Sequence, residues 1–352
     1  MTNGSAAHQL LGHLLPEGWK VIDRLEPSQS ATGGIFSVGY VVESMDDGRK
    51  AFLKALDYSK AFAAPDPARV LQSMTSAFNF ERDILERCKR SHLSRIVMAI
   101  TDGKYDVPGI TTGIPTVNYL IFELADGDVR KYLDIAGTFD IAWVLRCLHH
   151  IAIGLSQLHG QGMAHQDLKP SNVLVFGSKS SKIGDVGRAV SKEILAPHED
   201  FEIAGDEGYA PLELLYRYID PEWDCRRLGC DAYLLGSMVV FFFLNVGMTS
   251  AILNELHPSH YPGNWSGTFF DILPYLRVAF NRVIEKFEKC LIPELKDELS
   301  NVIRQLCEPD PNLRGHPLNR RGVRNPYSLE RYVTKFDLLA RKAEYGYFGK
   351  PR

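Results

Sequence analysis

The chain has 352 residues, 45% of them hydrophobic and 24% charged, which is enough apolar material to bury a large core in one domain or two lobes. Its formal net charge of -3 at pH 7 excludes wholesale electrostatic binding to nucleic acid as the default interpretation. The 6 cysteines lack the paired spacing of a secreted disulfide framework or a zinc site, and the N-terminus does not read as a signal peptide. We therefore expect a reducing, cytoplasmic compartment.

The N-terminal part of the chain is predicted to be a loose terminus followed by a small antiparallel sheet. Residues 1–15 are predicted to hold one short helical segment and show no extended helix or strand periodicity. Alternating apolar residues then predict three strands, at residues 21–25, 36–42 and 51–56. The Asp-Asp-Gly sequence at residues 46–48 is typical of a turn between the last two strands.

A long helix is predicted after the third strand. Asp66 is typical of an N-cap, and the proline that follows it is typical of a first helical residue. Apolar residues then recur at helical spacing: Val70, Met74, Phe78, Leu85 and Cys88. Glu81 lies on the same stripe, and a buried carboxylate is costly unless a cation is paired with it. We expect this cation to be Lys54, the only lysine inside a neighbouring predicted strand.

The rest of the chain is predicted to be mostly helical after two further strands, at residues 95–101 and 117–124. Asp140 is typical of the N-cap of the next helix, which leads into a polar loop. Residues 249–268 hold Pro, Gly, His and Asn without periodicity and are predicted to be a surface insertion. Strands first and helices later predict an α+β protein with a small sheet-rich lobe and a larger helical lobe.

The apolar run at residues 234–248 has two interpretations. A membrane-spanning helix needs about 20 apolar residues, and this run is shorter and lacks flanking anchors on its C-terminal side. A helix that is hydrophobic on all sides is also what the centre of a large soluble domain requires. We therefore predict a buried core helix and no membrane association.

Two polar motifs carry the strongest chemical signal. The first is H-Q-D-L-K-P-S-N at residues 165–172, and the second is Asp185 with the Val and Gly after it, which follow a short predicted strand. Asp167 can accept a proton and Lys169 can bind a phosphate. Asn172 and Asp185 offer oxygen ligands to a metal ion. These are the parts that phosphoryl transfer needs, because that reaction depends mainly on positioning and charge neutralisation.

In order and spacing, these motifs and the A-F-L-K sequence at residues 51–54 resemble those of the eukaryotic-type protein kinases. The resemblance covers roughly residues 19–317, and it implies the bilobal protein-kinase fold with ATP and Mg²⁺ as cofactors. The small lobe would hold an antiparallel sheet with one long helix. The implied segments are an N-terminal extension (1–18), the N-lobe (19–124), the mainly helical C-lobe (125–317) and a basic helical tail packed on the C-lobe (318–352).

The resemblance assigns a role to each polar residue of the two motifs. Asp167 would orient the substrate hydroxyl and accept its proton. Lys169 would neutralise the transferred γ-phosphate. Asn172 and Asp185 would hold the magnesium ions, for which oxygen ligands are suited.

The same resemblance assigns residues to the nucleotide. Lys54 would hold the α- and β-phosphates with Glu81 as its partner, the pair that burial also predicts. Phe122 would be the gatekeeper. The hinge backbone and the ribose contact would come from Glu123, Ala125 and Asp128. The remaining nucleotide residues are Gly34, Ser37, Phe52 and Leu174.

The chain departs from the family pattern in its glycine-rich loop. Counted back from Lys54 without gaps, this loop falls on residues 32–37, where only Gly34 keeps a family glycine. The change puts tight phosphate clamping in doubt, because glycine permits a close backbone approach. Gly39 stands where the family has valine and Phe52 where it has alanine. We therefore expect the Phe52 ring to fill the space at Gly39 and to stack over the base.

Further features resemble the kinases that accept protein substrates. Lys169 is typical of the serine/threonine branch. Residues 205–213 resemble the peptide-positioning loop that runs into the A-P-E motif, with Glu213 paired to Arg314. Asp231 would tie the predicted core helix to the catalytic loop, defined here as residues 165–172. A protein serine/threonine kinase acting on a protein substrate is therefore the leading interpretation.

Gln166 replaces the arginine that in this family forms an ion pair with a phosphate on the activation loop. Ser191 is the only hydroxyl residue within residues 187–205, and the following His-Glu-Asp-Phe-Glu sequence is acidic. A phosphate there would add repulsion rather than an ion pair, so we expect activity without activation-loop phosphorylation. Asp206 stands where these kinases carry threonine, and we expect it to pair with Lys169 when no nucleotide is bound.

Two other functions stay open. The degraded glycine-rich loop is also compatible with a pseudokinase, a nucleotide-binding scaffold without turnover, and a kinase of a small molecule or RNA is the third alternative. The basic, tyrosine-rich residues 320–352 could be a nucleic-acid or partner-docking surface, but we prefer a last helix packed on the large lobe. We expect control by a regulatory protein partner. The sequence does not indicate the substrate or the oligomeric state.

Overall fold

The computed structural model describes residues 5–26, 36–111, 113–136, 139–177, 179–321 and 325–348. The chain divides into two compact units. The first comprises Met1–Asp126 with Asp185–Gly187, and the second comprises Gly127–Gly184 with Arg188–Arg352.

The first unit is built on an antiparallel sheet. Its strands are β1 (Trp19–Arg24), β2 (Ser37–Ser44), β3 (Lys50–Leu56), β4 (Ala99–Asp106) and β5 (Thr116–Glu123). Within the described residues the order is β1-β2-β3-β5-β4. The predicted three-stranded antiparallel start is confirmed. The strand predicted at residues 95–101 corresponds to β4, which begins later, at Ala99. Ile96 and Val97 are buried, but they lie in the segment before this strand.

The N-terminal residues belong to the core of this unit. Along β2, the buried side chains of Val38, Tyr40 and Val42 alternate with partly exposed ones. The expectation of a loose terminus is wrong for the described residues, since a set of apolar side chains packs into the same core: Ala6, Ala7, Leu10 and Leu15. The hydroxyl of Tyr40 donates to the carbonyl oxygen of Ala7 at 2.8 Å. These scattered residues have no helix or strand period, so only their long-range packing reveals them.

Helix α1 (Pro67–Arg90) is the long helix of the first unit and begins where it was predicted. The Asp66 side chain accepts a hydrogen bond from the backbone N–H of Arg69 at 3.1 Å, which caps the helix. The buried stripe includes three of the predicted apolar residues and the predicted carboxylate: Met74, Phe80, Glu81, Ile84, Leu85 and Cys88.

The second unit is mainly helical, which confirms the predicted α+β architecture. Its helices within the described residues are α2 (Val129–Ala136), α3 (Ile141–Gly160), α4 (Leu212–Leu215), α5 (Gly229–Leu244), α6 (Met248–Leu253), α7 (Phe269–Lys289), α8 (Pro293–Leu306), α9 (Pro317–Arg320) and α10 (Glu330–Glu344). Its short strands are β6 (Gly127–Asp128), β7 (Met163–Ala164), β8 (Val173–Phe176), β9 (Ser180–Ile183) and β10 (Val190–Ser191). Strands β6, β8 and β9 form one small sheet, and β7 pairs with β10.

Helices α3 and α5 lie deep in the second unit. The Asp140 side chain accepts a hydrogen bond from the backbone N–H of Trp143 at 3.0 Å and caps α3 as predicted. Two helical segments of the described chain, α3 and Asp224–Leu244, are long and apolar enough to cross a membrane, yet 61% and 89% of their most apolar windows are buried inside the protein. This burial is what a core helix requires, as predicted for residues 234–248.

The C-terminal helix α10 packs against α3. Its buried side chains are Tyr332, Phe336, Leu339 and Ala340. Arg146 of α3 donates to Asp337 and to Glu344 of α10, each at 2.7 Å. The aromatic residues of this helix thus serve packing, and its acidic residues pair with α3.

Residues 249–268 are not a wholly irregular insertion, so that prediction is wrong for part of the segment. Helix α6 occupies its beginning, and a 3-10 turn forms at Pro258–His260. Thr249 is fully buried, and its hydroxyl donates to the carbonyl oxygen of Ala210 at 2.8 Å. A helix this short holds too few turns to give a visible period in the sequence.

Candidate functional site

Strand β3 places Lys54 within reach of two carboxylates of the first unit. Lys54 lies opposite Gly39 of β2 and Leu120 of β5. Its Nζ donates to Oε1 and Oε2 of Glu81 at 2.8 and 3.0 Å. Nζ also lies 3.6 Å from Oδ1 of Asp185. The ion pair expected from the burial of Glu81 is therefore present.

The two carboxylates stabilise the charge of Lys54, whereas burial and the charge of Asp185 raise the pKa of Glu81, an effect that Lys54 opposes. Burial alone would lower the pKa of Lys54, but the carboxylates of Glu81 and Asp185 raise it above its ordinary value. Lys54 therefore stays protonated at neutral pH and offers a fixed positive charge to a phosphate. The Asp185 backbone has a left-handed φ of 55°, and its side chain is 37% exposed, so its carboxylate can be reached from solvent.

The loop at residues 165–172, in the second unit, brings Asp167, Lys169 and Asn172 together. Oδ1 of Asp167 accepts a hydrogen bond from the backbone N–H of Asp206 at 2.8 Å. Its Oδ2 accepts one from Nδ2 of Asn172 at 3.1 Å and lies 3.2 Å from Nζ of Lys169. All of the three loop residues are buried. These three groups thus orient the Asp167 carboxylate.

Lys169 contacts a second carboxylate, that of Asp206. Its Nζ lies 3.2 Å from Oδ2 of Asp206, so the expected pair is present. Gly205 makes this approach feasible, since a Cβ added there would lie 2.3 Å from the carbonyl oxygen of Gln166. Any side chain at Gly205 would push the two loops apart. The positive charge of Lys169 is consequently balanced by two carboxylates.

A buried aspartate of α5 holds the backbone of the same loop. Asp231 is 0% exposed, and its carboxylate accepts hydrogen bonds from the backbone N–H groups of His165 at 2.7 Å and Gln166 at 2.8 Å. Nε2 of His159 lies 2.9 Å from the carboxylate. Burial alone would raise the pKa of Asp231, but the hydrogen bond and charge of His159 and the loop groups lower it. The ionised carboxylate therefore connects α5 to the loop, as predicted.

The segment at residues 205–213 is fixed by a buried ion pair. Nη1 and Nη2 of Arg314 donate to the two carboxylate oxygens of Glu213 at 2.7 and 2.8 Å, which is the predicted pairing. Breaking a buried pair by removing one partner costs about 3–5 kcal/mol. An exposed pair, such as Arg90 with Glu86, contributes at most about 1 kcal/mol. The Glu213 pair is thus a firm constraint on the segment.

Most of the nucleotide residues assigned to the first unit are described. Ser37 is the first residue of β2, and Phe52 lies within β3. Glu123 ends β5, and Ala125 follows it, half-buried. Gly34 lies outside the described residues. Their contacts with a nucleotide stay predictions.

The two nucleotide residues assigned to the second unit are neighbours. Asp128 of β6 lies directly opposite Leu174 of β8. The Asp128 carboxylate accepts hydrogen bonds from the backbone N–H of Arg130 at 2.8 Å and from its Nη2 at 2.7 Å. Asp128 therefore already holds the start of α2, and a ribose contact would share this carboxylate.

Gly39 and Phe52 complement each other across β2 and β3. A Cβ added at Gly39 would lie 3.0 Å from Cε2 of the Phe52 ring, closer than an ordinary contact. The Phe52 ring also lies 6.1 Å from the Phe122 ring, centroid to centroid. The ring thus fills the space at Gly39 as expected, and its stacking on a base stays a prediction.

Sequence reasoning missed Arg227 and Glu199. Nη1 of Arg227 donates to Oε1 of Gln166 at 3.3 Å, and its Nη2 donates to Oε1 of Glu199 at 3.0 Å. Arg227 lies in the π-helical turn Asp224–Leu228, where the ordinary helical period is broken. In the sequence it reads only as part of a short basic stretch, and no pattern links it to Glu199.

The donor types present fit Mg²⁺. Asn172 donates to Asp167 through Nδ2, which turns its amide oxygen away from that carboxylate. In the first unit, Asp185 has an accessible carboxylate of its own. In the described part of the chain, no group of three or more His, Cys, Asp or Glu side chains forms a complete metal cage. Magnesium in phosphoryl-transfer sites typically takes only one or two protein ligands beside phosphate and water oxygens.

Comparison with known proteins gives one family and several relatives. A family model for the protein kinase domain matches residues 33–319. The chain is 29% identical over 198 residues to the cell division control protein 2 homolog 3 of Trypanosoma brucei brucei, covering 55% of this chain and 63% of that protein. It is 30% identical over 178 residues to the 3-phosphoinositide-dependent protein kinase B of Dictyostelium discoideum, covering 47% of this chain and 20% of that protein. It is 27% identical over 213 residues to the serine/threonine-protein kinase fused of Drosophila melanogaster, covering 60% of this chain and 24% of that protein. The chain thus spans less than two thirds of each of these relatives.

We expect Gly39→Val to lower the free energy of unfolding by about 1–3 kcal/mol, because the added side chain overlaps the Phe52 ring. Combined with Phe52→Ala, the same valine should cost less than the two single changes predict, since the truncated side chain vacates the space. Denaturant unfolding of the wild type, both single variants and the double variant measures this coupling. Strict additivity would show that the ring does not occupy the space at Gly39.

Proposed function

Because the chain belongs to the protein kinase family, we propose that it is a serine/threonine protein kinase, which transfers the γ-phosphate of ATP to a hydroxyl group of a protein. The observation that carries this proposal is the Asp167 carboxylate, oriented by Asp206 and Asn172 and 3.2 Å from Lys169. Phosphoryl transfer gains most from reacting groups that are positioned in advance.

In the proposed reaction, the substrate hydroxyl oxygen forms a bond to the γ-phosphorus. The bond between that phosphorus and the oxygen bridging it to the β-phosphate breaks, which releases ADP. Asp167 orients the hydroxyl and accepts its proton. Lys169 offsets the negative charge of the transferred group, so its present contact with Asp206 has to loosen when phosphate binds.

The remaining polar residues would act on the nucleotide. Lys54, kept protonated by Glu81 and Asp185, would hold the α- and β-phosphates. Asn172 and Asp185 would hold Mg²⁺, which when bound neutralises phosphate charge. These roles require charge and oxygen ligands, which is what the two clusters contain.

A protein hydroxyl is the acceptor we propose, rather than a small molecule or RNA. The segment at residues 205–213 resembles a peptide-positioning loop, and the buried Glu213–Arg314 pair fixes its end. Lys169 is typical of the serine/threonine branch. Relatives of this chain include proteins named serine/threonine-protein kinases from Drosophila melanogaster and Mus musculus.

One observation favours a second function, a nucleotide-binding scaffold without turnover. The glycine-rich loop has Thr32 and Ser37 where the family has glycine. The six polar groups that the reaction needs are all present in the chain: Lys54, Glu81, Asp167, Lys169, Asn172 and Asp185. Phosphoryl transfer is therefore the function we propose first.

We further propose that activity does not depend on phosphorylation of the activation loop, defined here as residues 187–205. Ser191 is the only hydroxyl residue within 187–205, and it is 7% exposed within β10. Its hydroxyl oxygen accepts a hydrogen bond from the backbone N–H of Glu193 at 3.2 Å. A kinase acting on this loop would find Ser191 buried.

We expect Asp167→Ala to lower the rate of phosphate incorporation by about 100-fold or more, because the proton acceptor is lost. Incorporation of labelled phosphate from ATP into the protein itself and into casein measures this rate. Lys54→Met should have a similarly large effect, whereas Lys50→Met, at an exposed position of the same strand, should not. A wild-type chain that binds ATP but incorporates no phosphate would favour the scaffold function instead.

Treatment of the purified protein with a broad-specificity phosphatase should leave its rate of phosphate transfer unchanged once the phosphatase is removed. Ser191→Ala should behave in the same way, because no phosphate at this position contributes to activity. Mass spectrometry of the activation loop before and after treatment provides the control. Abolition of turnover by the phosphatase would contradict this proposal.

A further inference from the structure

The catalytic loop contacts a buried arginine to which the proposed reaction assigns no role. Gln166 is 6% exposed and has a left-handed φ of 66°, which surrounding contacts must maintain. Its Nε2 donates to the carbonyl oxygen of Arg227 at 2.8 Å, and Nη1 of Arg227 donates to its Oε1 at 3.3 Å. The Arg227 side chain therefore binds the oxygen end of the Gln166 amide, while Nε2 is bound by the Arg227 backbone and also donates to Oδ1 of Asp231 at 3.2 Å.

Arg227 connects this loop to the acidic segment of the activation loop. It is 2% exposed, and its Nη2 donates to Oε1 and to the backbone oxygen of Glu199 at 3.0 and 3.1 Å. Nη2 of the adjacent Arg226 donates to the same Oε1 at 3.3 Å. One carboxylate oxygen thus lies between two guanidinium groups.

The position of Arg227 depends on this carboxylate. Burial and the charge of Arg227 lower the pKa of Arg226, and Glu199 opposes that effect, so the two arginines repel each other at this place. A buried cation without its counter-charge is strongly destabilised and moves towards water. Removing the charge of Glu199 would therefore displace the Arg227 side chain, and with it the hydrogen bond to Oε1 of Gln166.

We propose that Glu199 is a positioning residue for phosphoryl transfer, an inference that rests on the proposed function. Its carboxylate fixes Arg227, Arg227 fixes Gln166, and Gln166 lies between His165 and Asp167 in the chain. The activation loop thereby carries a permanent negative charge that is linked to the catalytic loop through Arg227.

A purely structural ion pair would behave differently. Glutamine has nearly the same shape as glutamate, so the replacement leaves no cavity. The Glu199 side chain is 23% exposed, so this position keeps its access to water. We therefore expect a small change in the unfolding temperature together with a large change in kcat. A structural role alone would lower the unfolding temperature and leave kcat of the folded protein unchanged.

The first test compares the full chain with three variants, using Mg·ATP and casein. Glu199→Gln should lower kcat by about 10- to 100-fold, the effect of losing a charged hydrogen bond, with little change in KM for ATP. Glu199→Asp, which keeps the charge, should recover part of this loss. Glu202→Gln, at an exposed position of the same segment, should match the wild type.

The second test restores the charge chemically in Glu199→Cys. Reaction with sulfonatoethyl methanethiosulfonate attaches an anionic group, and methyl methanethiosulfonate attaches a neutral one. The anionic reagent should restore kcat and the neutral reagent should not. The wild type treated with both reagents controls for its own accessible thiols, which include Cys290. Equal rescue by both reagents, or wild-type kcat in Glu199→Gln, would overturn the proposal.

Hydrogen exchange separates failure of this proposal from failure of the proposed function. Backbone amides of residues 165–172 should exchange faster in Glu199→Gln than in Glu202→Gln. If the wild type shows no turnover, the proposed function has failed. In that case, unchanged amide exchange of residues 165–172 in Glu199→Gln would overturn the positioning role by itself. Faster exchange would support the coupling in either case.

Discussion

The arrangement of the second unit depends on one buried carboxylate, that of Asp231. A fully buried carboxylate persists in its ionised form only when hydrogen-bond donors replace the water it has lost. Here the donors are the backbone N–H groups of His165 and Gln166, together with His159. Because those two N–H groups precede Asp167 directly in the chain, satisfying the buried charge also sets the direction in which the catalytic loop presents Asp167.

Three contacts that hold loops in place lie within a few residues, at the start of α5 and in the π-helical turn before it. Asp231 binds the backbone of the catalytic loop, and Arg227 binds the side chain of Gln166 and the activation loop through Glu199. The carbonyl oxygen of Gly229 accepts a hydrogen bond at 3.2 Å from Arg314, the arginine that fixes the end of the peptide-positioning segment. Buried ionic groups tolerate little displacement, because each lost contact leaves a charge unpaired. The three loops are therefore positioned by one short, buried stretch of chain.

Local signals in the sequence were sufficient for much of this structure. The Asp66 cap, the buried stripe of α1 and the Lys54–Glu81 pair follow from capping chemistry, periodicity and the cost of an unpaired buried charge. The Arg227–Glu199 contact could not be predicted, because a π-helical turn hides Arg227 from helical periodicity and its partner is distant in the chain. The burial of the N-terminal residues was missed because it depends on long-range packing, and helix α6 was missed because it holds too few turns to give a visible period. Motif order supplied the catalytic residues, but only the structure shows how Asp206 engages them.

The most direct test of whether Asp231 positions Asp167 is the rate of single-turnover phosphate transfer by Asp231→Asn. The substitution keeps the shape of the side chain but replaces an acceptor oxygen by an NH₂ group that faces other donors. We expect Asp231→Asn to remain folded, as judged by circular dichroism, and to transfer phosphate about 100-fold or more slowly, because charged hydrogen bonds to the catalytic loop are lost. A folded Asp231→Asn protein with a wild-type rate would contradict the claim that this carboxylate positions Asp167.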